Sequence, residues 1–597
     1  MNLIEHYINL RLAYQKYKEE EKIETTTGEI SLHLSCTMRN TNILMKKMME
    51  LGYLKWMPQK GRGRKSTLLF HLSLLEAATN NVQRLLAEKN FEEAYSYILS
   101  IQFSQVIKEK LLHNMHSHFG LKSITHSTGR RDTLKIPQNM KIHTLDPTFV
   151  GIVHEAHLVQ HIFDTLVRYD RGSKSYIPGI ALAWEENNGT EWTFYLRKGV
   201  MFHHGRVLQA KDVQYTMERL RTNQKIPYHT LFECVEKVTM IDDITIQFAL
   251  NKPNYMFLDV MSSFFSSIIP HDIELDPLKP IGTGPYQVEK NEEHLLVLEA
   301  FPHHFQGRPF LDTIEVWHMP NLKEQPDKIE EEVYSLEHDT ATYQELGSFF
   351  FVFNLNKNGC HHNNKNFRLA IQQIIDPFKL VNELGYPRKY PAYSFRLDQS
   401  KQIVNHLQNN LEEAKRLLSL SGYEGQILKV ATFDFKEARE DMEWLKMHCQ
   451  QIGLNIEVSV IQASEIYEKK VLGLYDIIYT GETFEINEEL SLYMMYSSDN
   501  SVLRMALDSK TKQHIDIELN YLISLDDLNK RSDGFQNIED WLREEAYIIQ
   551  TYHTIEEQNY HKALNGIEVS GYGMPDLRSL WVKPDIESSS SYSIYIP

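Results

Sequence analysis

The first 75 residues carry a helical and then a strand-like pattern of apolar positions. Leu3, Tyr7 and Leu10 recur at three- and four-residue steps, which predicts an amphipathic helix at the start of the chain. TTTGEISLHL predicts a second helix with a threonine cap, and SCTMRNTNILMKKMMEL predicts a third that ends at Gly52. YLKWMPQ and STLLFHLSL flank a glycine-containing turn, which predicts a β-hairpin. Three helices followed by a hairpin predict an α+β winged helix-turn-helix head over residues 1–73.

The remaining chain predicts a connector and a large α/β body. Residues 74–133 are helical and then polar, and their role stays open between a dimerising or signal-passing connector and a rigid spacer. From residue 134 to 597, short strand-like runs alternate with helical ones, which is typical of α/β lobes. Lobe 1 is expected at about 134–350 and 490–597, and lobe 2 at about 351–489. Two such lobes predict a ligand cleft that closes by hinge motion.

Charge is distributed unevenly along this pattern. The net charge of the 597 residues is −17, so the whole molecule is not a general nucleic-acid binder. Residues 1–75 hold 12 Lys and Arg against seven Asp and Glu, whereas residues 36–70 hold eight against a single glutamate, Glu50. A basic head on an acidic body is typical of a protein whose head binds nucleic acid.

Two groups of head residues are the candidates for contact with double-stranded DNA. The third helix would enter the major groove and the hairpin tip would reach the flanking backbone. The sequence KGRGRKST at the tip fits neither a P-loop nor a dinucleotide-binding motif. A solvated turn and a helical bundle with a basic surface remain the alternatives. The candidate residues are Thr37, Arg39, Asn40, Asn42 and Lys46 on the helix, and Arg62, Arg64 and Lys65 on the tip.

A family resemblance extends over most of the chain. LDPTF, HIFDTLVRYD, FYLRKGVMFHHGRVLQAKDV, GTGPYQV and VSGYGMPDLRSLW resemble, in this order, the family 5 solute-binding proteins of the peptide-binder type. Together with RNTNILMKKMMELGYLKWMPQKGRGRKSTLLF, the chain resembles the SgrR-type transcription regulators. The resemblance implies a two-lobed, periplasmic-binding-protein-like body (class II) behind the DNA-binding head. It also implies a cytoplasmic bacterial regulator that senses a small effector, namely a sugar, a sugar phosphate or a peptide. The alternative is a solute or oligopeptide receptor of an ABC transporter.

The candidate ligand residues lie at expected strand ends of the body. Trp184 and Tyr479 are expected to line the cleft. Peptide-binding members of the family carry an acidic, proline-containing segment that anchors the peptide's amino group. The corresponding stretch here, YTGETFEINEEL, lacks the proline, and only Glu482, Glu485 or Glu488 could supply the carboxylate; Glu482 and Glu485 are the candidates. This departure argues against a peptide effector.

Other chemistry is not predicted. No G-x-S-x-G or paired-carboxylate motif is present in the sequence, so we expect no enzyme activity and no catalytic residue. The histidine pairs at 203–204, 303–304 and 361–362 lack a recognised ligand spacing, so we expect no metal and no cofactor. The four cysteines are far apart and predict reduced thiols, and no signal peptide or membrane span is evident, which predicts a cytoplasmic location. The sequence leaves the oligomeric state, the operator and the direction of regulation open.

Overall fold

The computed structural model divides the chain into two compact units. It describes residues 2–59, 65–87, 91–116, 119–127, 129–319, 338–357, 361–403, 409–433, 436–462, 465, 469–569 and 573–583. The first unit comprises Met1–Lys141 with the segments Glu292–Val297 and Ile314–Pro326, and the second comprises the remaining residues. No helix in the described ranges is long and apolar enough to cross a membrane.

The first unit begins with the predicted order of elements. Its described helices are α1 (Leu3–Ala13), α2 (Thr27–His33), α3 (Met38–Glu50), α4 (Leu74–Ala87), α5 (Phe91–Ser100) and α6 (Gln105–His116). Its strands are β1 (Ile23–Thr25), β2 (Leu54–Met57), β3 (Ser66–Phe70), β4 (Gly120–His126) and β5 (Gly129–Gln138). Strands β2 and β3 form the predicted antiparallel hairpin, with Leu54 opposite Phe70, and β1 pairs with the other edge of β3.

Local signals set the ends of the first three helices. Asn2 and Thr26 each cap a helix in a capping box with a glutamate three residues later, and Thr37 caps α3 by accepting a hydrogen bond from the Asn40 backbone N–H. Gly52 has a φ of 73°, a left-handed conformation that terminates α3 where the sequence predicts it.

The helices expected as a connector belong to the core of the first unit. Residues of α1, α3 and the hairpin, such as Tyr7, Met48 and Phe70, form one hydrophobic cluster with Val82 of α4 and Tyr95 of α5. The boundary that the sequence places at residue 73 therefore falls inside a continuous core. Helices α4 to α6 therefore fold together with the head, because they share its core.

The second unit contains several sheets. A four-stranded antiparallel sheet is formed, in spatial order, by Val235–Asp242, Thr245–Leu250, Glu191–Leu196 and Ala181–Asn187, and Val167–Asp170 pairs with Ser175–Pro178. Further strands of this unit are Tyr286–Asn291, Leu564–Asn565 and Trp581–Val582, whereas Leu295–Ala300 and Thr313–His318 consist in part of the segments assigned to the first unit. The described α-helices of this unit are Val153–Ile162, Ala210–Thr222, Phe257–Ser262, Lys365–Ile374, Pro377–Leu384, Leu397–Ile403, Leu411–Leu420, Lys436–Gln451, Lys469–Leu472, Glu488–Ser497, Val502–Ala506, Ser509–Ile523 and Leu528–Glu544.

A seven-stranded mixed sheet organises the C-terminal half. Its strands follow the spatial order His338–Gln344, Ile548–His561, Gly347–Phe353, Ile477–Thr483, Leu428–Phe433 and Ile456–Ile461, and Arg388–Pro391 pairs with Ile548–His561 as well. The cluster of buried apolar residues around this sheet includes Leu346, Leu519, Phe535 and Ile549, together with Met256. The expected lobe boundary near residue 490 therefore lies within one core, because the strand Ile548–His561 returns to pair with Gly347–Phe353.

The GTGPYQV motif supports a close backbone crossing in the second unit. A Cβ atom on Gly282 would lie 2.0 Å from the carbonyl oxygen of Ile162. Glycine is therefore required here for space, at the point where the helix Val153–Ile162 ends.

Candidate nucleic-acid interface and ligand site

One face of α3 is exposed and basic. Thr41, Met45 and Met48 are buried and hold the helix against the core. At about 100° per residue, Arg39 and Lys46 point away from these buried residues. The predicted contact residues on and before this helix are all exposed: Thr37, Arg39, Asn40, Asn42 and Lys46. The structure therefore presents them together on one surface, with Asn42 towards its edge.

Few internal contacts restrain the polar groups of this surface. The Asn40 side-chain amide donates to Cys36 Sγ over 3.4 Å, and Lys46 Nζ lies 3.8 Å from Glu50 Oε1. The Lys46 and Glu50 side chains are 76% and 62% exposed, so this ion pair contributes little to stability. The surface can exchange both contacts for a polyanionic partner at small cost.

The hairpin tip is described only in part. Residues 60–64, which include Arg62 and Arg64, lie outside the described residues. Lys65 is exposed just before β3, and its Nζ lies 3.9 Å from Glu24 Oε2. The Gln59 backbone N–H donates to Ser66 Oγ over 3.0 Å and joins the two sides of the turn.

In the second unit, the two aromatic candidates differ in exposure. Trp184 is half-buried on the strand Ala181–Asn187, opposite Phe194. Tyr479 is fully buried, and its hydroxyl donates to Asp441 Oδ2 over 2.7 Å. Its ring packs on Phe351 with the centroids 4.4 Å apart. Tyr479 is thus a core residue in this structure, which differs from the cleft-lining position expected from the sequence.

The two candidate carboxylates also differ in their contacts. Glu482 lies on the strand Ile477–Thr483 opposite Ser348, and burial raises the pKa of its carboxyl to about 7. Within the described residues we find no hydrogen bond to this carboxyl. Glu485 accepts a hydrogen bond from Ser263 Oγ, 3.2 Å from Oε1. Glu482 is therefore the candidate with the greater need for a donor from a ligand.

A charged cluster that the sequence did not reveal lies close to Glu485. Asp259 and Arg531 are each 2% exposed, and Asn487 Nδ2 donates to Asp259 Oδ1 over 2.6 Å. Arg531 Nε donates to Glu489 Oε2 over 2.9 Å, and its Nη2 lies 4.0 Å from Asp259 Oδ2. One signal for this cluster exists in the sequence, since Asp259 is the single charged residue in the apolar run MFLDVMSSFFSSIIP.

Burial and the Arg531 guanidinium act in opposite directions on the carboxyls of this cluster. Burial raises the pKa of Asp259 and of Glu489, although the Arg531 guanidinium lowers both. Burial also raises the pKa of the neighbouring Glu488. The buried Arg531 guanidinium faces Asp259 and Glu489, and Arg396, Arg171 and Lys174 lower the pKa of Glu488.

The histidine pairs raised the hypothesis of a metal site, which the sequence disfavoured. Among the described residues, Asp212, His271 and Asp272 lie close enough to hold an ion. However, the Arg206 guanidinium donates to both Asp212 oxygens, 2.5 Å from Oδ1 and 3.0 Å from Oδ2. A cation already neutralises this carboxylate, so the cluster is explained as an ion-pair network. His203, from the first histidine pair, accepts from the Gly282 N–H over 3.2 Å and has a structural role.

Comparisons of sequence relate both units to known families. Residues 175–502 match the family described as bacterial extracellular solute-binding proteins, family 5 middle, and residues 2–119 match the family described as sugar transport-related sRNA regulator N-term. The chain is 28% identical to the uncharacterized protein YhjP of Bacillus subtilis, over 98% of this chain and 100% of that protein. It is 23% identical to the HTH-type transcriptional regulator SgrR of Photorhabdus laumondii, over 95% and 97% respectively.

Comparisons of structure relate the body to two-lobed binding proteins. The periplasmic binding protein DppA of Helicobacter pylori, in complex with the peptide STSA, aligns with a TM-score of 0.64 at 19% identity, over 76% of this chain and 98% of that one. NikZ of Campylobacter jejuni, in complex with Ni(L-His), aligns with a TM-score of 0.63 at 19% identity, over 76% and 99%. These matches confirm the predicted fold of the body and the predicted family resemblance.

Proposed function

This chain belongs to family 5 of the bacterial extracellular solute-binding proteins, and we propose that it is a DNA-binding transcription regulator whose solute-binding body senses a small metabolite and modulates operator binding. The observation that carries the proposal is the exposed basic face of α3, in a unit that matches the N-terminal family of sugar transport-related regulators. The relatives named SgrR support the same reading. Binding rather than catalysis is the role proposed for the body, and the cytoplasm is the proposed location.

Contact with double-stranded DNA is assigned to two surfaces of the head. Arg39, Asn40, Asn42 and Lys46 are proposed to reach base edges and nearby phosphates in the major groove, and the preceding Thr37 to lie against the backbone. The hairpin tip, with Arg62, Arg64 and Lys65, is proposed to bind flanking phosphates. The net charge of +7 between residues 36 and 70 supports this assignment, because phosphate contacts need Lys and Arg.

The body is proposed to bind a small polar solute beside Glu482. A partly enclosed carboxyl whose pKa is about 7 favours a ligand that supplies a hydrogen-bond donor or a positive charge. Trp184 is the second proposed contact, through its half-buried ring. Among the effectors considered, sugar hydroxyls meet this requirement better than a phosphate group; a peptide amine meets it too, but the segment YTGETFEINEEL lacks the proline of the peptide-binding members.

Selection and substitution test the proposal. Purified full-length protein is incubated with a random duplex library, and the enriched duplexes are compared with unselected ones. Arg39→Ala is expected to weaken binding to the enriched duplex by about 1–3 kcal/mol and binding to random duplex by less. Lys18→Ala, which removes an exposed cation in the turn after α1, is the matched control and is expected to change little. Failure to enrich any duplex contradicts the regulator function.

The transporter-receptor alternative is favoured by one observation, the fold shared with DppA and NikZ. Fractionation of cells separates the two functions, since a transport receptor would be found outside the cytoplasmic membrane.

Calorimetry tests whether the body senses a solute. A solute found by a thermal-shift screen of sugars, sugar phosphates and peptides is titrated into the protein with and without the enriched duplex. By linkage, the duplex must change the affinity for the solute by the same factor by which the solute changes the affinity for the duplex. This factor is typically about 5- to 150-fold. Equal affinities would contradict regulation by that solute.

A further inference from the structure

An apolar side chain lies at the centre of the basic face of α3. Ile43 is 48% exposed. At about 100° per residue, it lies roughly 160° around the helix from both Thr41 and Met45, which are buried. Ile43 therefore points away from the core that holds the helix, and packing within the head does not explain its size.

The neighbours of Ile43 on this face are cations and amides. Arg39 and Lys47 lie four residues away on either side, and Asn40 and Lys46 lie three residues away. Residues at these spacings adjoin one another on a helix surface. A single exposed isoleucine is common on protein surfaces, but one ringed by three cations does not suit an apolar protein partner.

DNA offers a complementary partner for this arrangement. The phosphates match the cations, and guanine and adenine edges match Arg and Asn. The major groove also exposes one apolar group, the C5 methyl of thymine. A branched aliphatic side chain at the middle of the face can bury that methyl while its neighbours bind polar groups on either side.

We propose that Ile43 contacts the C5 methyl group of a thymine in the major groove and thereby contributes to sequence specificity. This assignment rests on the DNA-binding function proposed above. It adds an apolar contact to the polar contacts assigned to Arg39, Asn40, Asn42 and Lys46. The contact discriminates thymine from cytosine, which lacks the methyl group, and it is independent of phosphate binding.

Deoxyuridine substitution tests the assignment, because it removes only the C5 methyl from thymine. Each thymine of the duplex enriched with the full-length protein is replaced in turn. At one position the wild-type protein is expected to bind roughly four-fold more weakly, the factor that burial of one methyl-sized group gives. Ile43→Ala is expected to bind the thymine duplex more weakly and to lose the discrimination at that position, whereas Ile43→Val retains part of it.

A second variant separates this contact from a general loss of apolar surface. Leu51→Ala truncates a side chain that is 56% exposed just after the C-terminal end of α3, and it is expected to keep the thymine preference. Persistence of the full preference in Ile43→Ala, or no preference in the wild type, would overturn the assignment while leaving DNA binding intact. A selection that enriches no duplex would refute both the DNA-binding function and this contact.

Discussion

Glu482→Gln is expected to make the protein more stable at pH 8 and to leave its stability nearly unchanged at pH 4.5. Burial raises the pKa of this carboxyl from its ordinary value of 4.5 to about 7 in the folded state. Between these two values the folded protein holds a proton that the unfolded chain has released. The free energy of unfolding therefore falls as the pH rises through this window, and the full penalty is present above pH 7.

The size of the destabilisation by Glu482 follows from the change in its pKa on folding. A difference of about 2.5 pKa units corresponds to about 3 kcal/mol. The side chain of Glu482 keeps some exposure, so this is an upper value. Glutamine has nearly the same shape and does not ionise, so the penalty is absent from the variant at every pH. The free energy of unfolding of Glu482→Gln should increasingly exceed that of the wild type as the pH rises from 4.5 to 7, and the difference should persist above pH 7.

Urea unfolding at several pH values between 4.5 and 8, monitored by tryptophan fluorescence, measures the difference in the free energy of unfolding between Glu482→Gln and the wild type. Glu457→Gln is the matched control, because Glu457 is an exposed glutamate on a strand of the same sheet. The control should follow the wild type across the whole range. Parallel pH profiles for Glu482→Gln and the wild type would refute the reasoning, and would indicate a partner that keeps this carboxyl ionised. Addition of a solute that supplies a cation to Glu482 should reduce the difference in stability between the wild type and Glu482→Gln.

Three further outcomes are expected. Arg531→Met should lower the free energy of unfolding in urea by about 3–5 kcal/mol at pH 7, because it leaves Asp259 buried without its guanidinium; a loss below 1 kcal/mol would contradict this. Gly282→Ala should cost at least 1–3 kcal/mol, since the added methyl meets the Ile162 carbonyl, whereas Gly151→Ala, with open space around it, should cost little. The affinity of the full chain for the enriched duplex should fall with salt at a log–log slope of about −0.9 per phosphate contacted, and a flat profile would exclude phosphate contacts.

The features that sequence predicts well here are local. The cap at Thr26, the end of α3 at Gly52 and the pairing of β2 with β3 depend on residues within a few positions of one another. Side-chain patterns of this kind act through nearby backbone groups, so they can be read without the fold. The exposure of Arg39 and its neighbours follows from the same helical period.

The pairing of strands that are distant in the sequence could not be predicted as well. The sequence places a lobe boundary near residue 490, but the strand Ile548–His561 returns to the sheet that contains Gly347–Phe353. Tyr479 was expected at the cleft, yet it lies on a strand that has neighbours on both edges and is covered by packed side chains. A strand buried on both faces shows no alternation that would distinguish a core position from a cleft position.

Asp259 illustrates which part of a buried ion pair can be predicted from the sequence. A carboxyl within an apolar run must be expected to have a partner, because a buried charge without one is too costly. That requirement can be read from MFLDVMSSFFSSIIP alone. The identity of the partner cannot, since Arg531 lies on a helix that only the fold brings against Phe257–Ser262. Glu482 has the same limit: its enclosure is visible only in the structure, and because no donor reaches its carboxyl among the described residues, a solute is the expected partner.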